Sequence, residues 1–220
     1  ITREYQKVVR DLFTKDETEP VSPNDLLQAF RTRFPQFADH QQHDAQEVIL
    51  HFIDVFEESL GKELVQGIFN GEDSQETSWS EGMSTIKTPF TTLLLDVNEP
   101  CKLQDLLEDR QEERGIEGYV DENGKRFDVA AVRNKVTKWP RIVSFSFSMY
   151  DYKFPIEIPF EFEGRKLFAC VLHQGAQRGG HYALLVRRFD KWYIKDDATV
   201  HEVNDIKIFK GEFYQAWYRP

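Results

Sequence analysis

The chain has 220 residues with a hydrophobic content of 40%, which is enough to build the core of one large domain and excludes a disordered chain. Lys and Arg number 28 against 38 Asp and Glu, and the resulting net charge of −10 argues against nucleic acid or an anionic membrane surface and for a basic partner. Two cysteines, Cys101 and Cys170, are too few for a disulfide framework or a zinc cluster, so a reducing compartment is expected.

In chain order, the first sixty residues read as helices. Tyr5, Val8, Val9, Leu12 and Phe13 recur on one helical face, and a second helix opens with Ser22 as N-cap and Pro23 in its first turn and stops before Pro35. The third has the clearest stripe, Ala45, Val48, Ile49, Phe52, Ile53, Phe56 and Leu60, closed by Gly61 as a left-handed cap. After Gly61 the pattern turns to short strands and turns. A strand is expected over Phe90–Val97, a short helix at Leu103, Leu106 and Leu107, and a turn at Asp121-Glu122-Asn123-Gly124. From residue 142 the chain reads as β. Val143, Phe145, Phe147 and Met149 alternate with Ser144, Ser146 and Ser148, and Ile156, Ile158, Phe160 and Phe162 alternate with polar residues and Pro159, which predicts half-buried strands of an antiparallel sheet. Leu167–Leu172, Tyr182–Arg187, Trp192–Ile194 and Phe213–Tyr218 supply further strands. Helices first and strands second is the α+β order. No apolar run approaches the roughly 18–20 residues of a membrane span, and the start carries no signal-peptide pattern. Since the first residue is Ile1 and not Met, a segment upstream is expected.

The residues best placed for chemistry lie in Val171-Leu172-His173-Gln174-Gly175-Ala176-Gln177-Arg178-Gly179-Gly180-His181-Tyr182, where a Gly-rich loop delivers a histidine to an apolar strand. A tight hairpin near Phe189-Asp190 would bring Asp196 or Asp197 across from His181. A carboxylate on one ring nitrogen leaves the other free as a general base for a Cys or Ser nucleophile. The same spacing also fits a surface hairpin whose His and Asp face each other by chance. Cys170, inside an apolar strand, reads as an inert core residue, and Cys101 has nothing tying it to His181. His40 and His43 read as loop or capping residues, His51 as partly exposed, and His201 as flanking a strand. In Gln42-His43-Asp44-Ala45-Gln46-Glu47, Asp44 reads as the N-cap of the third helix with Glu47 completing a capping box, while both carboxylates can also face a cationic partner.

Taken in order, these segments resemble the catalytic domain of the ubiquitin-specific protease family of cysteine-type deubiquitinases. Gln42–Glu47 is similar to the family's helix motif, Ile68-Phe69-Asn70-Gly71 to the start of its fingers, and Trp139-Pro140-Arg141-Ile142-Val143 to the approach to its central sheet. His173 with Gly179-Gly180-His181-Tyr182 resembles the histidine box. Trp192–Val200 resembles the aspartate box, and Phe213–Tyr218 the closing strand. The resemblance implies a papain-like fold over residues 1–220 as one domain, with a helical thumb part at 1–61, fingers and connecting segments at 62–140, and a β palm at 141–220. It implies His181 as general base, Asp196 as its orienting partner with Asp197 as a secondary carboxylate, and a ubiquitin-binding set of Asp44, Gln46, Glu47, Gly179, Gly180, Tyr182 and Tyr214, with the Gln174–Gly180 loop as the gate. The family's Gly-Asn-Thr-Cys nucleophile box matches neither Cys101 nor Cys170, so no nucleophile is read in these residues and the 220 residues alone should not turn over substrate. The zinc-binding Cys pairs of many members are missing between Phe69 and Trp139, which implies fingers without metal. No cofactor is implied. The expected partners are ubiquitin or a ubiquitinated protein, with a protein scaffold as a further candidate, in the cytoplasm or nucleus. The alternative is an inactive, ubiquitin-binding pseudo-deubiquitinase.

Overall fold

The chain was analysed as a computed structural model, which describes residues 1–15, 19–39, 41–149, 153–176 and 179–220. It divides into two units, Ile1–Gln66 and Gly67–Pro220.

The first unit is helical: α1 (Thr2–Thr14), α2 (Asn24–Arg33), α3 (Ala45–Leu60) and the start of α4 (Lys62–Phe69), which crosses the boundary and has no counterpart in the sequence reading. Its core is aromatic. Phe30 is buried and stacks on Phe52 at 4.7 Å, with Phe34 and Phe37 tilted around it. Pro23 sits at the N-cap position of α2 and Ser22 Oγ accepts the Asn24 amide at 3.3 Å. The stripe predicted for α3 is partly corrected: Ile53 is buried, but so is Val55, which lies off the stripe, whereas Leu60 is exposed. The predicted face of α1 is also looser than expected, for that helix has no fully buried residue and Phe13 is 85% exposed.

The second unit holds two sheets. A four-stranded antiparallel sheet has the order β2-β1-β6-β5, with β1 at Gly71–Trp79, β2 at Gly82–Phe90, β5 at Arg114–Val120 and β6 at Arg126–Lys138. The predicted turn at Asp121–Gly124 joins β5 to β6. Asp121 Oδ1 accepts the amides of Asn123 and Lys125, and Gly124 takes the positive φ of 81° that the turn requires. At the tip of this sheet Trp79, Tyr119 and Phe127 cluster with ring centroids 5.0–6.4 Å apart. Along its length the strands are tied by Glu76–Arg133 and Glu72–Lys87 ion pairs and by a Gln75–Asn134 hydrogen bond. At its base, Arg110 grips Asp73 with both guanidinium nitrogens.

The larger sheet runs β13-β12-β11-β10-β14-β7-β3. Its strands are β3 (Leu93–Asp96), β7 (Val143–Ser148), β10 (Arg165–Ala176), β11 (Gly179–Arg188), β12 (Lys191–Asp196), β13 (Thr199–Val203) and β14 (Phe213–Arg219). Three expectations change here. The sheet is mixed and not wholly antiparallel, because β3 pairs with β7 in parallel. β7 is buried on both faces: Ser144 and Ser146 are as inaccessible as Phe145, and Ser144 Oγ is held by Thr92 Oγ1 at 2.7 Å and the Thr91 carbonyl. The strand predicted through Ile156, Ile158, Phe160 and Phe162 is broken at Pro159 into two short pieces, β8 (Ile156–Glu157) and β9 (Glu161–Phe162). The Tyr218 hydroxyl bonds the Pro159 carbonyl at 2.9 Å and so pins that break to the core. β8 pairs in parallel with β4 (Cys101–Lys102), which leads into the predicted short helix, α5 (Leu103–Asp109). Val143, Phe145, Leu167, Leu172, Leu185, Ala216 and Tyr218 form the centre of the core on one face of the sheet.

Candidate active site

β10 and β11 pair through Gly175↔Gly180 and Ala176↔Gly179, so the segment read as a Gly-rich loop is strand up to Ala176 and again from Gly179. Residues 177 and 178, on which the expected gate turns, lie outside the described residues, as does His40. The glycines are needed for geometry. Gly175 takes φ 105°, and a Cβ there would sit 2.7 Å from the Gly179 carbonyl oxygen, while a Cβ on Gly180 would fall on the His173 ring.

His181 opens the apolar run of β11, and its Nε2 donates to Asp196 Oδ1 at 2.5 Å. The pairing is diagonal and not directly opposite, as the hairpin spacing implied. The register sets Leu184 against Lys195, so Asp196 comes level with Ala183, two residues along the same face from His181. A ring and a carboxylate span such a diagonal easily. The hairpin turn at Phe189-Asp190 falls where predicted. Asp196 is itself steadied, for it pairs with Thr199 of β13 and its carbonyl accepts the Thr199 hydroxyl at 2.8 Å. Asp197 follows in the turn with φ 47°. The hydrogen bond to Asp196 and then the Asp196 charge hold the His181 imidazole above its ordinary pKa, partial desolvation opposes them, and the Asp197 charge adds to the rise. With Nε2 committed, Nδ1 is the nitrogen left to take a proton. His181, Asp196 and Asp197 also each offer a ligand atom within 4.8 Å of the others, which is the one grouping among the described residues that could hold a metal ion.

Beside this dyad lies an aromatic group. The His173 ring stacks on Tyr182 at 4.6 Å, and Tyr214 stands 5.4 Å from Tyr182 and 6.0 Å from His173. Glu212 fixes the base of the hairpin, because its carbonyl accepts the His173 amide and its carboxylate accepts Gln174 Nε2, both at 2.8 Å. Lys153 Nζ donates to the His173 carbonyl, and burial lowers the pKa of that ammonium group while Glu212 opposes the shift. Sequence reasoning missed Glu212 and Lys153. They act on residues 20 to 39 positions away and belong to no local pattern.

In the helical unit, Asp44 caps α3 by accepting the Gln46 amide at 2.6 Å, and Glu47 faces His51 at 3.8 Å across one turn. His51 is half-buried and stacks on Phe34 at 4.4 Å, while His43 bonds Asp39 at 2.6 Å. Asp44, Gln46 and Glu47 therefore form one local group on the first turn of a helix. Neither cysteine joins His181 in a bonded pair: Cys170 is fully buried, and burial pushes its thiol pKa far up. Burial, then the carboxylates of Asp105, Glu99 and Asp109, raise that of Cys101.

The family model of the ubiquitin carboxyl-terminal hydrolases matches residues 1–216, and the chain belongs to that family. Among solved structures, it superposes with a TM-score of 0.77 and 20% identity on "SAGA DUB module Ubp8/Sgf11/Sus1/Sgf73 bound to monoubiquitin", in which a Ubp8 cysteine is replaced by alanine, covering 88% of this chain and 52% of that one. A second complex of the module, bound to ubiquitin aldehyde, matches at 0.77 and 18% identity, covering 88% of this chain and 52% of that one. A third Ubp8 complex, a serine-to-asparagine variant, matches at 0.81 and 18% identity over 99% of this chain and 58% of that one. The likeness is one of fold, and it establishes the papain-like α+β architecture. The chain spans just over half the length of the solved chains it resembles.

Proposed function

We propose that the chain carries the base-bearing part of a cysteine-type deubiquitinase that binds ubiquitin and hydrolyses the (iso)peptide bond after its C-terminal glycine. The observation that carries this reading is the 2.5 Å bond from His181 Nε2 to Asp196, with Asp197 as a further carboxylate. In the reaction, Nδ1 of His181 takes the proton of a nucleophilic thiol, and the thiolate adds to the glycine carbonyl carbon. Nδ1 then returns that proton to the departing amine as the C–N bond breaks, leaving a thioester. Water attacks the thioester as Nδ1 takes its proton, and the thiol leaves reprotonated. Asp196 keeps the ring oriented and stabilises the imidazolium at each stage.

The thiol comes from outside these residues, since Cys101 and Cys170 are held protonated and lie apart from the dyad in the bonding pattern. Tyr182, Tyr214, Gly179 and Gly180 flank the tail of ubiquitin, and Asp44, Gln46 and Glu47 meet its basic residues. Support for ubiquitin as the ligand comes from the family and from the ubiquitin-bound state of two of the similar complexes. The further subunits of those complexes favour a protein scaffold as a second partner, and the deubiquitinase reading itself implies an intracellular setting, cytoplasm or nucleus. No described helix is long and apolar enough to cross a membrane.

The decisive measurement exposes the full-length product to a ubiquitin carrying a C-terminal vinyl electrophile. Covalent capture is expected, and His181→Ala is expected to abolish turnover with ubiquitin affinity nearly unchanged. Unaltered turnover in His181→Ala would refute the assignment. Tight ubiquitin binding with no capture would make the chain a binding module that has lost its chemistry.

A further inference from the structure

The large sheet has a second end, seven residues along β11 from His181 and so about 23 Å away, and its charge and backbone are arranged against local stability. Lys166 of β10 lies directly opposite Arg219 of β14, and Arg188 of β11 directly opposite Lys191 of β12. Like charges facing each other across an antiparallel ladder repel, and here two such pairs stand at the same end of one sheet. Lys191 is offset by Glu202 at 2.9 Å and the adjacent Arg187 by Asp190 at 2.9 Å. Lys166, Arg188 and Arg219 have no carboxylate within ion-pair distance among the described residues, although Glu161 neighbours Lys166 in register. The turn between Arg188 and Lys191 is held by Phe189, which takes φ 49° where Gly or Asn is expected and is 96% exposed. An aromatic ring in water, a bulky residue in left-handed backbone, and two cation pairs in register are each unfavourable alone. The Lys166–Arg219 pair and Phe189 meet at one cavity of about 210 Å³, lined by Lys166, Phe168, Arg187, Phe189, Asp190 and Arg219, while the Arg188–Lys191 pair lies outside its lining; this is the pattern of a site kept for a ligand.

We infer that this end of the sheet docks an acidic peptide segment, a carboxylate between Lys166 and Arg219 and one apolar side chain against Phe189. Charge complementarity selects the class. A negative segment relieves the Lys166–Arg219 repulsion, and the cavity accepts a side chain or two. Nucleic acid is disfavoured because the few cations at this end, with Arg219 seated over the Phe168 ring at 5.0 Å, fall short of the run of phosphate contacts such binding uses. The site is remote from the dyad and does not depend on the deubiquitinase reading.

Fluorescence anisotropy with a fluorescein-labelled peptide of repeating Asp-Glu-Phe tests it, with a labelled single-stranded oligonucleotide as the competing polyanion. The peptide is expected to bind with an affinity that falls as salt rises. Lys166→Glu turns a repulsive pair into an attractive one, and Phe189→Gly removes the backbone strain. Both variants are therefore expected to raise the melting temperature by about 1–3 °C while weakening the peptide about tenfold. Peptide affinity unchanged in both variants would overturn the proposal, whatever happens to melting. So would an oligonucleotide that binds more tightly than the peptide and is lost in the same two variants.

Discussion

His181 has a titration set chiefly by Asp196, with a smaller contribution from Asp197. The raised pKa means the folded chain holds the His181 proton more tightly than the unfolded chain does. The stabilisation from the His181–Asp196 pair is thus complete below about pH 6.5, the ordinary histidine value, and is lost as pH rises through the higher folded value. Asp196→Asn keeps an acceptor but removes the charge, so the imidazole C2 proton resonance of His181 should titrate at lower pH than in the parent. An unmoved midpoint would show that Asp196 does not set the histidine's charge. Asp197→Asn should move it in the same direction but less, because Asp197 acts through charge alone, as the smallest contribution.

At the scale of elements, the four-stranded sheet gains its tip from the packing of Trp79 against Tyr119 and Phe127, with Gly82 leaving room for the indole. Trp79→Ala should cost about 2–4 kcal/mol in denaturant unfolding, and a cost below about 0.5 kcal/mol would mean that the rings merely touch. This sheet was the least legible part of the fold, because β2 is exposed at nearly every position and shows no alternation, and β1 buries only small or polar residues such as Ser74 and Thr77. The strands around Cys170 and Tyr218 were legible because they bury a continuous apolar set, and α3 because of its apolar periodicity, although Ile53 alone of its stripe is fully buried. β7 was read as half-exposed because its serines mimic a solvent face, whereas Ser144 and Ser146 are buried and Ser144 Oγ is bonded to Thr91 and Thr92. The pairing of His181 with Asp196 was legible to within one step of register, since a two-residue turn fixes which residues come level. Glu212 and Lys153 were hidden because only tertiary pairing brings them to His173.

For the molecule as a whole, net charge and cap chemistry can be separated. Asp44→Asn with Glu47→Gln neutralises two carboxylates, taking the net charge from −10 to −8, yet Asn still caps α3. Stability should change by less than about 0.5 kcal/mol, whereas ubiquitin should bind more weakly, through a slower and less salt-sensitive association rate measured by stopped flow. Unchanged association would leave capping as their whole role. The burial of Cys170 and the acidic surroundings of Cys101 carry a practical consequence as well. Maleimides and iodoacetamides react with thiolate, and both side chains are held as thiols near neutrality. A pair of cysteines introduced on exposed strands or turns would therefore take dyes or spin labels ahead of the two native ones, so the distance between the labelled positions can be measured without first stripping the chain of its own sulfur.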